Sequence, residues 1–306
     1  MLAFGAAVAS PEPPSSEDYA ARGKPPVAAV EHVVIISVDG LRPDLALRAN
    51  APVMRSLLQE GAFSFWARTV EVSVTLPAHT SMLTGVTPAK HGVSWNSDLP
   101  ERMSSFPAYP TILELAHRAG LVTEMIAGKS KFRTLNKPQT IDRVFVPPGT
   151  NTSASNTVVT GQALQLYAQG AVRPALSFIH FPDVDAAGHA HGWGSPEQIA
   201  AIEQTDFEIG RILAAVDRST TIIIVSADHG GAGLTHRPND PRSRHIPWII
   251  AGPGVKHGFD LAQIESLEIN TEDTAATALW LLGFTIPRYF DGRVVNAAFD
   301  GGASGH

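Results

Sequence analysis

Residues 220–231 read TTIIIVSADHGG, and the way this stretch folds decides how the rest of the chain is read. Its first six residues are all β-branched, the pattern of a strand buried on both faces of a parallel sheet. The run stops at Asp228-His229, and the two glycines that follow allow close backbone approach. VVIISVDG (33–40) has the same form and stops at Asp39; ALSFIHF (175–181) and HIPWIIAGPG (245–254), led by His245, are further strands. FSFWARTVEV (63–72) and LVTEMIAG (121–128) are strand-like. Between them lie helical patterns: APVMRSLLQEG (51–61), TILELAHRAG (111–120) and the amphipathic PEQIAAIEQTDFEIGRILAAVD (196–217), with Ser195 as its expected N-cap. Strands alternating with helices predict an α/β fold with a mostly parallel central sheet covered on both faces. In such sheets ligands gather outside the carboxyl ends of the strands.

Composition narrows the partners. The net charge of −6 comes with no basic stripe, so no nucleic acid polymer is expected as partner. No apolar run is long enough for stable membrane insertion. The absence of cysteine removes thiolate metal sites and cysteine nucleophiles, so any metal must be held by His, carboxylates and hydroxyls. Residues 1–30 read as a flexible leader or a signal remnant: Ala7-Val8-Ala9 resembles a signal-peptidase site, but a basic start is missing. Export to the periplasm or medium follows from the second reading, a cytoplasmic location from the first. Residues 31–295 form one expected catalytic domain, with a small cap built from insertions around 97–110 and 130–155, and 296–306 form a tail. The insertion from about Ser130 to Ser155 lacks periodicity and is rich in Pro, Thr and Asn, as lids and binding loops are.

The polar candidates stand where apolar runs stop. Asp39, Asp185 with His189 four residues on, Asp228 with His229, and His245 would be brought to one rim by one sheet. Taken singly each has a plain alternative: an Asp after a strand is commonly a turn or cap residue, and a His-rich loop such as DAAGHAHG (185–192) can be solvated surface. Together, these His and carboxylate groups suit two borderline cations, zinc first and manganese or iron next. Two such ions are the arrangement that clamps an in-line phosphoryl displacement.

Six motifs, in order, carry a resemblance: ISVDGLRPD (36–44), TLPAHTSMLTG (75–85), KHGVSWN (90–96), DAAGHAHG (185–192), SADHGG (226–231) and RHIPWIIAGPG (244–254). The chain resembles the alkaline phosphatase superfamily, and within it the type I phosphodiesterase/nucleotide pyrophosphatase family. The resemblance implies an alkaline-phosphatase-like three-layer fold and a two-zinc phosphoric ester hydrolase. Asp39, Asp228 and His229 are then ligands of one zinc, and Asp185, His189 and His245 of the other. Thr75 matches the family nucleophile, which also reaches the first metal, and Asn96 matches the asparagine that holds a nonbridging phosphate oxygen. Asp183 and His191 are expected to orient ligands, and His79 to support the site from the helix after Thr75.

The substrate is less legible. Where the nucleotide pyrophosphatases stack a base between two aromatic residues, this chain has Leu76 and His180, so His180 alone is expected to stack. In AGKSKFRTL (127–135), Lys129 and Lys131 match a pair with which related monoesterases and phosphonoacetate hydrolases hold a dianionic phosphate or a carboxylate; a solvated basic turn is the alternative. A small-molecule phosphate ester, monoester or diester, is the expected partner. The competing readings are a phosphonoacetate-hydrolase-like enzyme that cleaves a C–P bond and a metal-binding member without catalysis. A sulfatase is excluded at Thr75, where those enzymes need a cysteine or serine for formylglycine.

Overall fold

The computed structural model describes residues 21–98, 105–169, 175–238 and 240–301. The first twenty residues of the expected leader, residues 99–104 of the expected cap and residues 302–306 of the tail lie outside that range. Among the described residues eight strands form one sheet: β1 His32–Val38, β2 Gly61–Arg68, β3 Thr123–Ala127, β4 Arg143–Phe145, β5 Leu176–Phe181, β6 Thr221–Ser226, β7 His245–Ala251 and β8 Phe259–Asp260. Their spatial order is β4-β3-β5-β1-β6-β7-β2-β8. Neighbours are parallel except at β7, which runs antiparallel to both β6 and β2. β1, β5 and β6 are buried along their whole length, which is why apolar residues stand on both of their faces instead of alternating with solvated ones.

Helices α1 Pro43–Arg48, α2 Pro52–Glu60, α3 Thr75–Thr84, α4 Pro88–His91, α5 Ile112–Arg118, α6 Asn156–Gln169, α7 Asp183–His191, α8 Pro196–Ala215, α9 Pro241–Arg244 and α10 Asp273–Leu281 fill the connections. α3, α4, α5 and α10 form one packed group, and α1, α2, α6 and α7 gather with α8 in another. The N-cap of α8 is Ser195, whose hydroxyl accepts from the Gln198 amide, with Pro196 at the first helical position.

Three local expectations are corrected. The strand in FSFWARTVEV ends at Arg68 and does not reach Val72, and the next helix, α3, includes Thr75 as its first residue. DVDAAGHAHGWGS is helical as far as His191. Gly188 permits this, because a Cβ there would lie 2.8 Å from Gln198 and from the Trp193 ring. The Ser130–Ser155 excursion is also less irregular than its composition suggests. It holds a 3-10 turn at Ser130–Leu135 and edge strand β4, and its base is closed by Ser130 N–H to Thr152 O at 2.9 Å and Ala154 N–H to Gly128 O at 2.8 Å.

Candidate active site at the carboxyl rim of the sheet

β3, β5, β1 and β6 are successive neighbours, and the polar candidates follow their carboxyl ends: Lys129 after β3, Asp185 in the first turn of α7 after β5, Asp39 after β1, Asp228 and His229 after β6. Gly40, at φ +75°, lets two of these elements meet, since a Cβ there would lie 3.0 Å from the Asp185 Cα. Asp39 Oδ2 accepts from Lys129 Nζ at 2.7 Å and from His180 Nε2 at 2.9 Å. Asp185 Oδ2 accepts from the same ammonium at 2.6 Å. Asp228 Oδ1 accepts from the Gly40 amide at 3.1 Å. The remaining oxygens, Asp39 Oδ1, Asp185 Oδ1 and Asp228 Oδ2, are buried without a hydrogen bond.

The imidazoles are anchored in one way. His229 Nδ1–H donates to Gly230 O at 2.8 Å, His189 Nδ1–H to Leu234 O at 2.9 Å and His236 Nδ1–H to Ser73 O at 2.8 Å. A carbonyl can only accept, so each ring keeps its Nε2 lone pair for something else. His229 Nε2 is buried without a hydrogen bond, 3.2 Å from Asp228 Oδ2 and 3.4 Å from Asp39 Oδ1. Asp39, Asp228 and His229 present ligand atoms within 4.8 Å of one another, and so do Asp185, His229 and His236. His189 lies beside Asp185 of the second group, its Nε2 3.3 Å from Asp185 Oδ1 one helical turn away.

Thr75 sits at the head of α3, almost wholly buried. His79 ties it to the carboxylates: its Nδ1 lies 2.7 Å from the Thr75 carbonyl and 3.4 Å from Asp228 Oδ2. Its Nε2 pairs with Ser37 Oγ at 2.7 Å. Asn96 Oδ1 accepts from the Leu76 amide at 3.0 Å and from Lys131 Nζ at 3.1 Å. Both partners are donors, so the Asn96 oxygen faces them and its Nδ2 points the other way.

Six expected site residues, His245, His180, Lys129, Lys131, Asp183 and His191, are placed or engaged otherwise than expected. His245 begins β7 at the same rim, but its ring packs edge-on to Trp66 at 5.5 Å and its Nδ1 bonds Pro241 O at 3.0 Å. There it lines a groove of about 540 Å³ with Phe65, Trp66 and Leu47. A rim position does not set which way a side chain points, and His236 stands where His245 was expected. His180 lies under the site, fully buried and bonded to Asp39, so it offers no face to a substrate. Lys129 and Lys131 are not free cations; the first is held by two carboxylates and the second by Asn96. Asp183 bonds the Asn156 amide at 2.9 Å, tying α6 to α7, and His191 is exposed.

The sequence pattern of the type I phosphodiesterase / nucleotide pyrophosphatase family matches residues 33–242. The chain belongs to this family. An uncharacterized pyrophosphatase/phosphodiesterase of Schizosaccharomyces pombe is 26% identical over 217 residues, which are 65% of this chain and 44% of that protein. The chain thus spans less than half the length of that relative. Among solved structures, murine ectonucleotide pyrophosphatase/phosphodiesterase 5 superposes with a TM-score of 0.68 at 14% identity, covering 84% of this chain and 96% of the other. The phosphonate monoester hydrolase of Silicibacter pomeroyi does so at 0.62 and 18% identity, covering 87% and 76%. The fold is alkaline-phosphatase-like.

In this family member the electrostatics of the rim follow from burial and from Lys129. Burial alone would raise the Asp39 pKa, but Lys129 and then His180 outweigh it, leaving Asp39 well below the ordinary carboxylate value. Asp185 is lowered in the same way: burial and Asp39 push up, while Lys129 and His189 pull further down. At Asp228, burial together with Asp39 and Asp185 outweighs the pull of Lys129 and the Gly40 amide and drives it well above the usual range. His229 is pushed down to about 4 by burial and by His236, so it is neutral at physiological pH, as a ligand must be. Three buried carboxylate oxygens and one imidazole nitrogen without hydrogen bonds, in a set free of sulfur, fit a divalent cation. His236 lies seven residues beyond His229 in the same glycine-rich loop. That spacing was the available signal, and the strand-leading motif at His245 outweighed it.

Proposed function

We propose that this chain hydrolyses phosphoric esters with two divalent cations, zinc first, through a phospho-threonine at Thr75. Asp39, Asp228 and His229 would hold one cation, near Thr75; Asp185, His189 and His236, in place of His245, would hold the other. A bound cation supplies Lewis acidity, lowering the pKa of an oxygen it holds, roughly from 15.7 to 7 for water on a favourable zinc. The Thr75 hydroxyl gives up its proton to solvent as its oxygen attacks phosphorus, and the bond to the leaving oxygen breaks; that oxygen departs as an alkoxide and takes a proton from solvent. Water then attacks the phospho-threonine, restoring the Thr75 hydroxyl and releasing the phosphoryl group. Asn96, its oxygen committed to Leu76 and Lys131, donates through Nδ2 to a nonbridging oxygen as charge builds there. His79 holds the Thr75 carbonyl and so fixes the start of α3.

The observation that carries this reading is the set of four buried donor atoms without hydrogen bonds, beside a threonine that opens a helix. Leu76 and His180 are both fully buried, which supports ester substrates that bring no nucleobase to be stacked. Cleavage of a C–P bond in the manner of phosphonoacetate hydrolases is less well supported, because both lysines that would hold the carboxylate are engaged by the protein's own groups. The test is turnover of nitrophenyl phosphate and bis-nitrophenyl phosphate by zinc-loaded protein, with mass spectrometry of the acid-quenched enzyme. We expect a phosphorylated peptide containing Thr75 and a loss of at least about a thousandfold in Thr75→Ala. Undiminished turnover in that variant would overturn the mechanism.

A further inference from the structure

Lys129 lies within the carboxylate cluster instead of beside it. Its ammonium bonds Asp39 Oδ2 and Asp185 Oδ2 at 2.7 and 2.6 Å, one carboxylate from each of the two ligand sets, and its side chain is largely buried. Each carboxylate therefore has one oxygen committed to Lys129 and only Oδ1 left to offer a metal. With all three carboxylates ionised, as metal binding requires, one ammonium leaves two negative charges, the charge of a single divalent cation. A second divalent cation would add an uncompensated double positive charge beside a lysine that already touches Asp185.

The two ligand sets are also unequal. Asp39, Asp228 and His229 are all buried, so an ion there is shielded from water on every protein-lined side. The other set combines buried Asp185 with a half-exposed His189 and a half-buried His236. His229 is within reach of both sets, but its one free nitrogen can serve only one ion.

We propose that Lys129 is the resident third cation of this centre and sets its occupancy: one divalent cation binds at Asp39, Asp228 and His229 unaided, and the position at Asp185, His189 and His236 fills only together with an anion such as a phosphoryl group. This rests on the hydrolase reading above and adds to it an order of assembly. Substrate, by its charge, completes the centre that acts on it, and the ester-free protein stays in a one-metal form. Lys129 thereby acts through the metal positions and is a positioning residue.

The experiment is equilibrium dialysis of metal-stripped protein against zinc, with elemental analysis, in the absence and presence of inorganic phosphate. For the wild type we expect about one zinc per chain without phosphate and about two with it, the second site at least about tenfold weaker when phosphate is absent. Lys129→Met should take about two zinc without phosphate, Lys129→Arg should keep the wild-type pattern, and Asp185→Asn should hold about one under both conditions. Lys129→Gln replaces Lys129→Met if circular dichroism shows the latter unfolded; the wild-type arms test the order of filling, and the neutral variants test that Lys129 sets it. Two zinc sites of equal affinity in the wild type without phosphate, or an unchanged phosphate dependence in the neutral Lys129 variants, would overturn the proposal and leave the hydrolase reading standing. A wild type that takes up no zinc in either condition would overturn both.

Discussion

Metal removal should soften wild-type protein and leave Asp228→Asn almost untouched. In the metal-free chain, Asp39 Oδ1, Asp185 Oδ1, Asp228 Oδ2 and His229 Nε2 are buried without hydrogen bonds. At about 1–3 kcal/mol for each unmet buried polar group, the three on Asp39, Asp228 and His229 that face the first cation cost roughly 3–9 kcal/mol together, the most that one cation can relieve. What a melting experiment reads is set by mass action: zinc at about a hundredfold over its dissociation constant adds about 2.7 kcal/mol. For 306 residues, at about 2.1 cal/mol/K per residue, this raises Tm by about 4 °C. In Asp228→Asn the retained Oδ1 still accepts from the Gly40 amide, and the new amide group is a donor facing lone acceptors on His229 and Asp39. Its metal-free form should therefore melt at or above the metal-free wild type, by up to about 1 kcal/mol or 2 °C, while its gain on adding zinc falls below about 1 °C. Differential scanning calorimetry with chelator and with zinc measures both. A wild type whose Tm ignores zinc, or an Asp228→Asn variant that gains as much as the wild type, would refute the assignment of these atoms to a metal.

The correction at His245 is testable by metal content in the presence of phosphate: His236→Ala should lose about one zinc per chain, whereas His245→Ala should retain the wild-type amount. Lys131→Met should lower kcat by about tenfold with little change in KM, because Asn96 loses the partner that orients it, and Lys131→Arg should restore most of the loss; a rise in KM alone would instead mean that Lys131 binds substrate directly. Away from the site, burial, followed by Asp273 and Asp291, raises the Glu272 pKa to about 7. A raised folded-state pKa gives stability that is complete below the ordinary glutamate range and is lost as pH rises through 7. Glu272→Gln should therefore stabilise the protein by up to about 3 kcal/mol at pH 8 and by little at pH 4.5; equal shifts at the two pH values would contradict the burial argument.

Much of the site was legible because strand ends are legible. The runs that stop at Asp39 and at Asp228-His229 could only be buried strands, and a mostly parallel sheet brings such ends to one rim. Side-chain direction was not legible. DAAGHAHG reads as a loop by composition, yet it is helical, and the helix is what sets Asp185 and His189 one turn apart. His180 has the chain position of a substrate-facing residue, but the alternation of β5 turns it inward onto Asp39. Lys129 and Lys131 have the spacing of a substrate clamp, and the partners that engage them come from β1, α7 and the Asn96 loop, all distant in sequence.

The order of motifs along the chain was enough to determine the α/β class, the family and the set of residue types available for chemistry, since these depend on local pattern and composition. Tertiary structure alone decided which imidazole accompanies Asp185 and that Lys129 spans Asp39 and Asp185. It also decided that β7 runs against its neighbours, with His245 turned to Trp66. The physical reason is range. Backbone periodicity is a property of a few consecutive residues, whereas a hydrogen bond or ion pair between groups dozens of residues apart exists only once the sheet order has been chosen.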